Sequence, residues 1–381
     1  MNYFKILTFL EKGNKTEFDI TRAEQEAFIK RLGPAKDDID RSKKQYLCQM
    51  LFVPKWKVYL FDLIAIFALP CYVLALWLKT VFASKGDIRK VDCVCEYKSM
   101  AEVLPDAFTS QYEIDFEPWC SGKLMVWKDV KFITKCFFKT WSPYMVFKCA
   151  VKISDFSHII HRYLPRAIQE CGEYSFTSSL MTEYCHLYGV EHIDVMHGEK
   201  LYFIANSYFH FDKTYVWHEH YKKLFIEMCA FPDQFIIAVP PSLKIDIENN
   251  IDKDAYADYK YYLQIYTEEE IKCIVDSMQF TKRVGKTVKY RIHPRYSDLN
   301  LLRKYVDDSE IEYPKDISIL KSVANMECAV GSFTTVLLQA HLAGKKVLLD
   351  DIGKKDQFKK LIEMEYILNS EGCERLSKKQ I

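Results

Sequence analysis

Downstream of residue 171, short apolar runs alternate with segments whose apolar positions recur every three or four residues. Short runs bounded by turn formers read as buried strands, and the longer spaced segments as helices. On this pattern residues 192–196, 214–217 and 234–239 are predicted strands, and residues 178–188 and 221–229 predicted helices. Pro240-Pro241 closes this half, and the polar, acidic stretch 244–257 fits a linker. The pattern then repeats, with strands over 260–266, 287–292, 326–330 and 346–349 and helices over 299–306 and up to Leu342. Thr267 and Glu270 stand at capping-box spacing at the head of another helix, and Gly344 marks a helix end. Strand-then-helix alternation predicts an α/β chain with parallel sheets covered by helices, in which ligands bind beyond the carboxyl ends of strands. We expect two domains, residues 1–243 and 244–381.

The earlier third is less regular. Residues 13–50 read as polar helix and loop with a charge-rich stretch at 36–44, and residues 83–125 hold short strand-like pieces such as 91–97. Residues 128–170 alternate aromatic and basic side chains at helical spacing. Residues 63–78 are apolar throughout except for Pro70 and Tyr72, and Lys55, Lys57, Asp62, Lys79 and Lys85 lie around them. Sixteen residues make a helix of about 24 Å, short of the roughly 30 Å hydrocarbon core of a bilayer. Extension back to Val58 reaches a spanning length only by burying Asp62. The region 58–82 therefore admits three readings: an interfacial or re-entrant anchor, which is the favoured one, a single span, or a buried core helix. The lysines are placed to reach lipid phosphates.

Composition narrows the class. The chain has 381 residues, 49% of them apolar and 15% aromatic, which suits two folded domains. A formal net charge of +1 gives no basic field for nucleic acid. Thirteen cysteines, an odd number, sit mostly within apolar runs and read as reduced and buried. Cys93 and Cys95 fall on one strand face, which is not a metal spacing. Residues 1–11 contain Lys5 but no long apolar stretch and no small-residue cleavage site, so secretion is not supported.

Three motifs lie where predicted strands end. Gly331-Ser332-Phe333-Thr334-Thr335 runs from a buried strand into a helix, where unpaired N–H groups and hydroxyls favour a phosphate. The plainer reading is helix capping by Ser332. Arg291-Ile292-His293-Pro294-Arg295 delivers a histidine between two cations, suited to a departing phosphate, or else is a surface loop with incidental charge. Met196-His197-Gly198-Glu199-Lys200 offers His197 and Glu199 as general bases for an acceptor hydroxyl, with Glu173 an outsider for the same task; the alternative is that they only shape the site. His218-Glu219-His220 lacks the spacing of a helical zinc site, and no D-x-D, P-loop or G-x-G-x-x-G appears at a convincing position. The aromatic group Tyr208, Phe209, Phe211, Tyr215 and Trp217 reads as core before it reads as a sugar platform.

His293-Pro294 together with Ser332-Phe333-Thr334-Thr335 resembles the HP and serine/threonine motifs of bacterial sialyltransferases that build capsule and lipopolysaccharide. The likeness covers roughly residues 170–350; the first 150 residues add none. It implies a GT-B-like fold, two Rossmann-like domains facing a cleft, and transfer without a metal or other cofactor. It implies that His293 stabilises the leaving CMP phosphate and that Ser332 and Thr334 bind it; Arg291, Arg295, Gly331 and Thr335 join them as donor-binding candidates on the chemistry of the two motifs themselves. The family's acidic-acidic-glycine motif has only His197-Gly198-Glu199 as its nearest counterpart here, a departure that leaves base and donor open. That His-Gly pair is also similar to CDP-glycerol and CDP-ribitol polymer transferases, in which a histidine is the base. The expected function is inverting transfer of sialic acid or a related acidic sugar from a CMP-sugar to a lipid-linked oligosaccharide or polysaccharide. Such an enzyme would work at the cytoplasmic face of the inner membrane. A CDP-polyol phosphotransferase, a UDP- or dTDP-sugar transferase and a non-catalytic assembly scaffold are the alternatives.

Overall fold

The computed structural model describes residues 17–82, 88–96, 98–117 and 122–379. Residues 1–11, Lys85 and Tyr97, which entered the sequence reading, lie outside the described residues. The chain divides into two compact units, Met1–His197 with Tyr202–Pro241, and Gly198–Leu201 with Ser242–Ile381.

The first unit carries β1 (Cys93–Cys95), β2 (Ile114–Phe116), β3 (Ala167–Glu170), β4 (Glu191–Val195), β5 (Lys213–Val216) and β6 (Phe235–Ile237). They form one sheet in the order β2-β1-β3-β4-β5-β6, with every pairing parallel. The order grows in opposite directions from β1 and β3, so the switch point of this doubly wound sheet falls between them. β4, β5 and β6 match the three predicted strands to within one or two residues at most ends. Residues 128–170 resolve into helices Trp127–Thr140 and Pro143–Tyr163 and then β3. β3 ends on Gln169 and Glu170, polar yet buried. Glu170 can be buried because Lys152 and His192 both pair with it. Burial alone would raise its pKa, but those two neighbours overcome that and hold it down at about 2. The aromatic group from Tyr208 to Trp217 is buried and is core.

Helix Lys55–Phe82 is long and apolar enough, by length and composition, to cross a membrane. One stripe packs on the unit: Phe61, Ala65 and Leu69 are buried, and Tyr72 and Leu76 continue the line. Polar bonds fasten the helix to the protein along most of its length. Asp62 Oδ1 accepts from Tyr144 N (3.0 Å) at the start of Pro143–Tyr163, Tyr72 bonds Ser154 (2.8 Å), and Thr80 Oγ1 accepts from Met125 N (3.0 Å). Asp62 is thereby satisfied at a helix N-terminus, where a carboxylate is favoured. The opposite face, with Tyr59, Leu63, Phe67, Leu74 and Leu78, is exposed.

The second unit carries β7 (Ala257–Tyr262), β8 (Val288–Arg291), β9 (Ile311–Glu312), β10 (Met326–Gly331), β11 (Lys346–Leu349) and β12 (Glu374–Arg375). Their order, β12-β11-β10-β7-β8-β9, is again fully parallel. Counted from β7 it is the 3-2-1-4-5-6 order of dinucleotide-binding folds, with the switch point between β7 and β10. The capping box at Thr267 and Glu270 is formed, and Gly344 sits at φ 75° just past helix Thr335–Leu342. β7 starts and stops earlier than the 260–266 pattern, which leaves Leu263 to Tyr266 as a loop at the switch point. The helix expected over 299–306 covers only Leu299–Leu302. Across β7, β8 and β9, Glu312 binds Lys260 (2.6 Å) and Arg291 (2.6 Å) in a buried ion triad.

Candidate functional site

At the carboxyl rim of the second sheet, the loops after β7, β8 and β10 are tied together. β8 and β10 are not neighbours; they flank β7. Gln264, just beyond β7, joins them. Its side-chain amide donates to the Phe333 carbonyl, and its own carbonyl accepts from Ser297 Oγ (3.1 Å). Ser297 Oγ in turn accepts from the His293 N–H (2.8 Å). The HP loop and the serine/threonine loop are thus held in fixed relation through one glutamine.

Within this rim the His293 ring stacks on Tyr296 at 4.5 Å, and its Nδ1 accepts from Arg295 N (3.1 Å). That bond assigns the remaining proton to Nε2. Burial, and then the Arg295 charge, lower the His293 pKa, so the neutral ring presents an Nε2–H donor at pH 7. Gly331 closes β10 so near to β7 that a Cβ there would stand 3.4 Å from the Tyr262 carbonyl. Ser332 is buried and bonds the Tyr266 hydroxyl (3.1 Å). The cap of helix Thr335–Leu342 is Thr334 rather than Ser332, and the Thr334 side chain makes no capping bond. Thr335 is exposed at the first helical position, and Arg295 is exposed beyond β8. Arg291 departs from expectation: its guanidinium binds Glu312 in the buried triad and is held away from a phosphate role. Gln264, Tyr266 and Lys354 were not singled out in the sequence. Lys354, in the loop after β11, holds its ammonium 4.6 Å from the centre of the Tyr266 ring, which places a cation beside the Ser332 loop.

Glu199 belongs to the second unit. Both of its carboxylate oxygens are shut off from water and lack a hydrogen bond of good geometry. Burial raises its pKa to about 8, with Thr335 beside it pulling the other way. The carboxyl is therefore largely protonated at pH 7, a poor base and a possible hydrogen-bond donor. Because the folded pKa lies above the unfolded value, this group costs stability as pH rises from about 4.5 towards 8. Glu199→Gln is expected to raise the melting temperature at pH 8, by the equivalent of a few kcal/mol at about 1.4 kcal/mol per unit. At pH 4 it should make little difference. Thermal melts across that range check this, and an equal effect at both ends would refute it.

The other two candidates for the base come together in the first unit. After β3, the Gly172 N–H donates to Asp194 Oδ1 (2.8 Å), and its carbonyl accepts from Ser178 Oγ (2.6 Å). A Cβ on Gly172 would stand 2.7 Å from Glu170 Oε1, so the tight turn requires glycine. The turn aims Glu173 at the end of the neighbouring β4. There Met196 is pinned by the Trp217 indole, whose Nε1 donates to its carbonyl (2.9 Å). Next in the chain, His197 places Nδ1 3.6 Å from Glu173 Oε1. The Glu173 side chain is 1% exposed and that of His197 44% exposed. A buried carboxylate behind an accessible imidazole can orient the ring and stabilise its protonated form. Gly198 has open space around it. Among the described residues no group of three or more His, Cys, Asp or Glu is arranged to hold a metal ion. His218 instead caps a helix, its Nδ1 accepting from His220 N (3.1 Å).

No family model matches the chain, and no curated protein matches it in sequence. Solved structures with a similar layout include UDP-GlcNAc 2-epimerase from Methanocaldococcus jannaschii (12% identity, 74% of this chain and 93% of that one, TM-score 0.41). Anabaena HepE in complex with UDP and glucose is another (9%, 70% and 82%, TM-score 0.39). A variant of the wall teichoic acid polymerase TagF is a third (8%, 69% and 70%, TM-score 0.34). A likeness of this size assigns no activity.

Proposed function

We propose that the chain is a metal-independent, inverting glycosyltransferase of GT-B type, with the nucleotide-sugar donor held by the second unit. The observation that carries this reading is the Gln264-bridged rim, which gathers a neutral imidazole donor and a helix start at the switch point of a dinucleotide-type sheet. In the proposed reaction the acceptor hydroxyl gives its proton to His197, held by Glu173, and its oxygen attacks the anomeric carbon. The bond from that carbon to the phosphate oxygen breaks, and the phosphate leaves with the electron pair. The His293 Nε2–H, Arg295, Lys354, the Thr334 and Thr335 hydroxyls and the backbone after Gly331 stabilise it. The preferred donor is a CMP-activated acidic sugar, and the acceptor a lipid-linked oligosaccharide or polysaccharide.

Membrane association at the cytoplasmic face is part of the proposal. Polar bonds at Asp62, Tyr72 and Thr80 fasten helix Lys55–Phe82 to the first unit from residue 62 to residue 80, about 27 Å of helix. A spanning orientation would draw the protein's polar side chains into hydrocarbon with it. The arrangement favours a helix lying in the plane of the interface, with its exposed face towards lipid.

Calorimetric titration with CMP, CDP and UDP tests the donor site, and CMP is expected to bind best. Lys354→Ala should weaken that binding about tenfold, near 1.4 kcal/mol, with circular dichroism unchanged. Absence of affinity for every nucleotide would favour a scaffold instead. The histidine base also suits polyol-phosphate transfer, and turnover of labelled CDP-polyol but not CMP-sugar would establish that second reading.

A further inference from the structure

The first unit has an apolar cavity of about 440 Å³ between helices Lys55–Phe82 and Trp127–Thr140. Its walls run from Ile66 to Trp77 on the first helix and from Trp127 through Thr134 to Phe137 on the second. Thr134 supplies the only hydroxyl, and that hydroxyl already donates to the Val130 carbonyl (2.8 Å). A sugar, nucleotide or peptide backbone would find almost nothing to bond here. The cavity is open, since Ile66, Leu74 and Trp127 in its walls are each about half exposed or more. From Ile66 to Trp77 it follows the helix for about three turns, roughly 17 Å. That is a narrow slot, suited to one extended chain.

Its surroundings indicate what fills it. Trp77 and Trp127 lie 6.1 Å apart at one end, and Lys131 holds its ammonium 5.9 Å from the Trp127 ring. Lys55 and Lys79 are exposed near the two ends of the long helix, and Trp141 is exposed past the end of the second. Indole and ammonium groups around an apolar face match the headgroup zone of an anionic bilayer, with hydrocarbon below it. The Lys131 ammonium and the two indoles beside the groove complement an anionic lipid surface.

We propose that this groove binds one hydrocarbon chain of an anionic bilayer lipid. The inference rests on the reading of helix Lys55–Phe82 as an in-plane membrane helix, and it adds a defined lipid site to that helix. Lipid entering the groove fixes the depth and rotation of the first unit at the surface, which a merely greasy helix would leave undefined.

Full-length protein with phosphatidylglycerol vesicles containing a trace of lipid with a photoactivatable acyl chain provides the test. Flotation reports membrane binding, and mass-spectrometric mapping of the cross-links reports the chain's position. Cross-links are expected on both walls, at Val73 and Trp77 and across Val130 to Phe137. Val130→Phe, and independently Thr134→Phe at an exposed position, should cut these at least fivefold while flotation and CMP titration stay unchanged. Flotation with cross-links confined to the outer face, at Tyr59, Phe67 and Phe82, would overturn the groove but leave the membrane helix standing. Failure to float, or self-association through this face, would overturn both.

Discussion

His197→Ala is expected to lower kcat by about 10²- to 10⁴-fold, the usual contribution of a positioned general base, with nucleotide affinity unchanged. The argument is geometric. Of the three candidate bases, Glu199 is disabled by the same burial that lifts its pKa to about 8. Glu173 is sealed behind His197, and only His197 exposes its ring to an acceptor. Glu173→Gln removes the charge that stabilises the protonated ring while keeping the shape, so its loss should be smaller but on kcat again. Glu199→Gln should stay within a few-fold of the parent. Steady-state transfer of labelled sugar with the three variants separates the roles. If Glu199→Gln is the inactive variant and His197→Ala is not, the assignment of the base is wrong.

His293→Ala is expected to reduce kcat by about 10²- to 10³-fold, the loss seen when one preorganised donor to a developing anion is removed. Its Nδ1 is occupied by Arg295 N and its ring by Tyr296, so Nε2 is the atom left to meet the phosphate. Ground-state binding of CMP should change little, because the imidazole is neutral until charge develops on the leaving oxygen. The check is single-turnover transfer beside calorimetry: a large loss in affinity with chemistry intact would make His293 a binding residue and not a catalytic one. Full activity would dismiss the proposed rim altogether.

The legible parts of the fold were those with local apolar signals. β11 was visible in full, β10 to within one residue, and the helix between them to its last residue, because apolar runs and Gly344 mark them. β3 was invisible: Gln169 and Glu170 look like surface, and only Lys152 and His192, drawn in from a helix and a neighbouring strand, make their burial tolerable. β9 and β12 are two residues long and leave no periodicity to detect. That His293, Ser332 and His197 lie just past strand ends was legible, since that is a property of local sequence. Arg291 misled because its partner Glu312 lies 21 residues on and one strand over. Gln264 has no chemistry of its own to advertise; its importance comes from the strand order, which puts β7 between β8 and β10.

That the Phe61, Ala65 and Leu69 stripe finds its cover on Pro143–Tyr163 has a consequence during synthesis. The chain is made from its amino end at roughly 5–20 residues per second, so several seconds pass between emergence of the greasy segment and of the helix that shields it. Both sides of that segment face solvent in the meantime, and each all-parallel sheet behind it waits on distant pairings that form slowly. Early capture at a lipid surface, or by a chaperone, would compete with aggregation throughout that interval.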